Sequence, residues 1–140
     1  MEININSPRY YKDIYGIDNE IYQLCQNIHR FFKEKKYSEL INIVGIVPII
    51  APQEFINQGK YKEKKFCSTT YGFADVQLFI DYNSYVNGSI EEKKVYIITN
   101  VLKSVKAIKS KGKIDYKLFE SDMMEFCENN NIEIWWLSIL

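Results

Sequence analysis

The sequence predicts an α+β fold: an antiparallel or mixed sheet of four to five strands, with three helices packed mainly on one face. Three observations lead there. From Phe73 to Tyr82 the chain alternates, with Ala74, Val76, Leu78, Ile80 and Tyr82 on one side and Asp75, Gln77 and Asp81 on the other, the period-two pattern of a half-buried strand. Ile17, Ile21, Leu24, Cys25, Ile28, Phe31 and Phe32 recur at spacings of three and four, the pattern of an amphipathic helix. Ser89-Ile90-Glu91-Glu92 is a capping box that opens a long helical segment. Strands grouped in sequence, with helices before and after, favour α+β over strict alternation.

The elements follow in the order β-α-β-β-β-α-α-β. Ile3 and Ile5 alternate with polar neighbours in a short first strand, which Ser7-Pro8 ends. Arg9–Gly16 reads as loop. Asp18 is a suitable N-cap for the first helix. Leu40–Val47 is apolar on both faces, a central covered strand, and Pro48 should end it because it has no N–H for a ladder. Pro52 opens a loop or short helical turn through Phe55 and Ile56. Lys60–Thr70 reads as a polar strand, Tyr71-Gly72 as a turn, and Ala74–Tyr82 as its antiparallel return. The second helix starts at Ser89 and runs to about Ser110, burying Val95, Ile98, Val101, Leu102, Val105 and Ile108, with Gly112 at the C-cap. Asp115 caps a third helix with Phe119, Met123, Phe126 and Cys127 inward, and Asn129-Asn130-Asn131 breaks it. Ile132–Leu140 has strand propensity and closes the chain.

The length of 140 residues fits one domain, residues 1–140. With 46% hydrophobic residues a core is available, and the composition speaks against disorder. Lys and Arg balance Asp and Glu at 18 each. That balance speaks against a dedicated nucleic-acid binder or a polybasic membrane anchor. Cys25, Cys67 and Cys127 are widely separated and odd in number, so no zinc site or disulfide framework is indicated. They read as buried thiols in a reducing compartment. No signal-peptide pattern and no membrane-length apolar run is present, and the expected location is the cytoplasm.

Catalytic vocabulary is missing. There is no GxGxxG, P-loop, GxSxG or HExxH, and no catalytic residue, metal ligand or cofactor is expected. His29, the only histidine, flanks the apolar face of the first helix and reads as a packing residue. Asp75 and Asp81 are six residues apart, about 20 Å along a strand, too far for a paired-carboxylate site. Two lysine clusters, Lys60–Lys65 and Lys103, Lys106, Lys109, Lys111 and Lys113, suit helix-end charge, edge protection and solubility, or a phosphate-binding surface. Glu120, Asp122, Glu125 and Glu128 give the third helix an acidic outer face. The tail Ile132–Leu140, with Trp135-Trp136, reads as a core strand or as an interface strand through which a homodimer could form.

Val44-Gly45-Ile46-Val47-Pro48-Ile49-Ile50, the strand Val76–Tyr82, the long helix after it, and Lys113-Ile114-Asp115-Tyr116-Lys117-Leu118-Phe119-Glu120-Ser121-Asp122 resemble a small family of bacterial immunity proteins from polymorphic toxin systems, best matched by immunity protein family 44. The resemblance covers roughly residues 41–122 and leaves out the first helix and the tail. It implies a cytoplasmic, non-enzymatic protein that neutralises a cognate toxin domain by stoichiometric occlusion. The alternatives are a nucleic-acid-binding regulator using the lysine-rich surface, or a small enzyme with an unrecognised site. A nuclease-type toxin is basic around its active site, so the candidate partner-binding residues are Glu120, Asp122, Glu125 and Glu128, with Asp75 and Asp81 as second choice.

Overall fold

The computed structural model describes residues 1–6, 9–10, 18–57, 63 and 72–133. The elements are β1 (Glu2–Ile5), β2 (Arg9–Tyr10), α1 (Asn19–Phe32), β3 (Ile43–Ala51), α2 (Gln53–Asn57), β4 (Phe73–Asp81), α3 (Tyr82–Val86), α4 (Ile90–Gly112) and α5 (Tyr116–Asn129). The chain is α+β, but the expected antiparallel or mixed sheet is overturned. Every ladder among the described residues is parallel. Five helices, not three, are present among them.

The sheet is three positions wide. β3 is central, with β4 along one side, and β1 and β2 share the other as two pieces of one edge. Ile3 stands beside Val44 and Arg9 beside Ile49, so the register shifts by one residue between the pieces. Parallel neighbours need a crossover. The path from β1 to β3 runs through α1, which packs on β1. The hairpin expected between Lys60–Thr70 and β4 would have made that pair antiparallel. Residues 60–62 and 64–71 lie outside the described residues, and β4 instead runs parallel to β3 along its whole length, from Ile43 beside Phe73 to Ala51 beside Asp81.

Pro48 does not end β3. The Asn42 and Ile46 carbonyls face the β1 side, where they accept from Glu2 and Asn6 N–H. Even-numbered residues of β3 therefore bond toward that edge, and the donor Pro48 lacks would point into the break between β1 and β2. The β4 ladder uses the odd-numbered residues and is unbroken. Proline in a strand belongs at such an interruption.

One face of the sheet, with Ile3, Val44, Ile46, Ile50, Ala74, Val76, Leu78 and Ile80, meets α1 and α4 in a single core. α5 packs on α4 and, through aromatic rings, on the end of α1: Phe32 and Phe119 centroids are 4.8 Å apart, Phe31 and Phe126 5.4 Å. The opposite sheet face carries Phe73, Asp75, Gln77, Phe79 and Asp81.

The helix boundaries follow local chemistry. Ser89 and Glu92 form the reciprocal capping box expected of them. Asp18 is the N-cap of α1 in backbone geometry, but its carboxylate makes no cap bond and pairs instead with Lys93 Nζ at 3.1 Å. At the end of α4 the left-handed residue is Lys113 (φ 49°), not Gly112. Ile114 N–H returns to Lys109 O, and Lys113 N–H to Ser110 O, the Schellman pattern. Gly112 is closely packed: a Cβ there would crowd Ile41 Cδ1 and the Ile114 side chain. α5 ends the same way, with Asn131 left-handed (φ 56°) and Ile132 N–H returning to Cys127 O. Ile114 and Ile132 are both buried in the core. Of the last expected strand, residues 134–140, with Trp135-Trp136 and the dimer contact assigned to them, lie outside the described residues.

Candidate partner-binding surface

α5 begins at Asp115, whose Oδ1 accepts from Leu118 N–H at 3.2 Å. It buries Phe119, Met123, Phe126 and Cys127, the inner face its spacing indicates. At about 100° per residue, Glu120 and Asp122 fall on opposite flanks of that face, while Glu125 and Glu128 point outward. The four carboxylates are therefore not one patch. Glu120 and Asp122 are half-buried, Glu125 and Glu128 exposed.

The flanking carboxylates are tied to tyrosines. Tyr37 Oη donates to Asp122 Oδ2 at 2.6 Å. Burial, then that hydrogen bond and the Asp122 charge, push the Tyr37 phenol well above its usual range. Burial, then the neighbouring Glu120 carboxylate, push Tyr116 up to about 12. The outward surface of α5 adds two features that the sequence pattern conceals: Leu118 and Met124 are exposed large apolar side chains.

The charges of α5 run against its dipole. The first turn has no acidic residue and the last turn no basic one. Lys117 sits near the positive end, and Glu125 and Glu128 near the negative end. Each such placement costs a few tenths of a kcal/mol, up to about 1 kcal/mol.

The second-choice carboxylates lie on the sheet face away from the helices. Asp75 crosses Gly45 so closely that a Cβ there would be 2.7 Å from Asp75 Oδ1. Asp81 is the N-cap of α3, accepting from Ser84 N at 3.0 Å and Ser84 Oγ at 2.9 Å. α3 itself was legible as Asp81-Tyr82-Asn83-Ser84, a cap signature hidden by the strand pattern running into it.

His29 Nδ1 is 3.3 Å from Ile3 O, joining α1 to β1. Lys103, Lys106, Lys109, Lys111 and Lys113 are exposed, and Lys109 Nζ lies 5.6 Å from the Tyr116 ring centre. Lys60, Lys62, Lys64 and Lys65 lie outside the described residues. Burial pushes the Cys25 and Cys127 thiols up to about 12, toward the unreactive protonated form. Among the described residues no group of His, Cys, Asp and Glu could hold a metal, and no helix is long and apolar enough to cross a membrane.

No curated protein and no solved structure matches the chain. The family model described as Immunity protein 44 matches residues 1–129. The match extends well beyond residues 41–122, taking in β1 and the whole of α1, and stops at the last residue of α5. With that share of its length matched, the chain belongs to the immunity protein 44 family.

Proposed function

We propose that this protein is a cytoplasmic bacterial immunity protein that binds one cognate toxin domain and neutralises it by stoichiometric occlusion, without catalysis. Membership of the family over residues 1–129 carries this reading. The fold is compatible with it: a packed core supports charged surfaces whose residues the core does not need.

The surface we assign to the toxin is the outward face of α5. Glu125 and Glu128 oppose the helix dipole, so helix stability does not account for them. Leu118 and Met124 add exposed apolar area beside them. Interfaces combine such apolar anchors with complementary charge. Glu120 and Asp122 form the flanks of this surface.

The deciding experiment is co-expression with the toxin domain encoded next to it, followed by co-purification. Survival of the host and a one-to-one complex are expected. Equal killing with and without this protein, and no complex, would remove the proposal.

A further inference from the structure

The first two turns of α4 and the turn that follows α5 line a groove of about 480 Å³. Its apolar lining is Val95 and Tyr96, half-buried and packed against the core, with Ile132, which is buried. Glu91, Glu92, Asn131 and Glu133, all exposed, form its rim. Such a groove suits a flat apolar body that carries a hydrogen-bond donor at its edge. A carboxylate offers about four lone-pair sites. Glu92 can therefore serve the capping box, and Glu91 can hold Lys94 at 3.6 Å, with acceptor capacity left over.

The chain itself delivers that chemistry to that place. Asn131 is left-handed and Ile132 N–H returns to Cys127 O, so α5 stops and the backbone follows the groove through Ile132 and Glu133. The next residues are Ile134-Trp135-Trp136-Leu137-Ser138-Ile139-Leu140, apolar but for Ser138. With 3.8 Å between successive Cα atoms, Trp135 and Trp136 start within about 8 and 11 Å of Glu133. An indole has a large apolar face and a single N–H donor, which seeks an acceptor when the ring is buried. Left in water, this segment would be a contiguous apolar patch.

We propose that the groove binds the segment of this chain that follows Glu133, residues 134–140. One of the two indoles lies on Val95, Tyr96 and Ile132 and donates its Nε1–H to a rim carboxylate. Successive side chains of an extended segment point to opposite sides, so the other indole faces outward. The occupant lies beyond the family match, which ends at residue 129, and the proposal does not rest on toxin binding by α5.

Trp135 and Trp136 are the only tryptophans in the sequence, so tryptophan emission of the full chain reports on this segment alone. Trp135→Phe and Trp136→Phe each leave one indole to be read. One should emit at short wavelength and resist acrylamide, while the other is quenched as readily as N-acetyltryptophanamide. Val95→Gln puts a polar group in the apolar lining, and should shift the protected indole to longer wavelength and remove its protection. Val95→Phe, which fills the groove without a polar group, should do the same. Unchanged circular dichroism checks that both variants are folded. Quenching like the free compound in both single-tryptophan variants would overturn the proposal, as would protection that survives both Val95 variants. Protection lost on dilution, with dimers in sedimentation, would also overturn it and give the groove to a second copy.

Discussion

The Tyr37 hydroxyl reaches across 85 positions of sequence to the Asp122 carboxylate at 2.6 Å. The bond ties the connection after α1 to the flank of α5. It sits beside the clustered rings of Phe32, Tyr37 and Phe119, Tyr37 meeting Phe119 edge to face, so the hydroxyl is the polar edge of an otherwise apolar contact. Asp122 is thus a structural residue as well as a member of the acidic set. Replacing Tyr37 with Phe should cost about 1.5 kcal/mol, the lower end for a hydrogen bond to a charged group. Urea denaturation measures it. Asp122→Lys should cost at least as much, so a triple reversal that includes it would confuse folding with binding.

The clean interface test uses the outward pair. Glu125→Lys with Glu128→Lys should weaken toxin binding at least tenfold, since close charge pairs across interfaces couple by about 1.5 kcal/mol or more. The same change should raise stability by a few tenths of a kcal/mol, because it aligns the charges with the dipole. Titration against the toxin and thermal melting read the two effects separately. Unchanged affinity would move the toxin to another surface, Asp75 being the next candidate.

Alkali should unfold the protein progressively. Cys25, Cys127 and Tyr116 are held up to about 12 in the fold, from ordinary values of 9.0 for the thiols and 10.0 for the phenol. Tyr37 is raised further. Above about pH 9 the unfolded chain releases protons that the folded chain keeps, so stability falls with rising pH through these windows and is fully present below them. Urea midpoints between pH 7 and pH 11 test this. A flat profile would contradict the burial of these groups.

The two buried thiols should resist alkylation at pH 7.5 until the chain opens. Iodoacetamide labelling followed by peptide mass mapping should show Cys25 and Cys127 unmodified in the native protein and modified in urea. Labelling of either under native conditions would place it on the surface.

The turn between α4 and α5 predicts two opposite effects at adjacent positions. Lys113→Gly should stabilise by up to about 1 kcal/mol, since a left-handed residue with a Cβ is strained. Gly112→Ala should destabilise by about 1 kcal/mol. The crowding against Ile41, itself buried, outweighs the helix propensity gained by Ala.

What was legible in the sequence was local. The capping box at Ser89 and Glu92, the inner faces of α1, α4 and α5, and the helix break at Asn129–Asn131 follow from spacing and side-chain chemistry within a few residues. Strand direction does not. The alternation of residues 73–81 is the same in either orientation, and nothing within β4 states which way its partner runs. Pro48 misled because its missing donor points at a break formed by residues some forty positions earlier. At the candidate surface, residue type located the carboxylates, but helix rotation and a distant Tyr37 decided which of them face solvent.

The three positions of the sheet are filled by segments that lie far apart along the chain. Ile3 must find Val44, and Val44 must find Ala74. No two of these strands can zip up from a tight hairpin, so long loops must close before any ladder forms. Chains built on such distant pairings cross their folding barrier slowly. On a ribosome adding residues one by one, β1 waits unpaired until β3 has emerged, and β4 can join only afterwards. A chain of this topology therefore has a delay between the end of synthesis and the arrival of its folded, binding-competent surface.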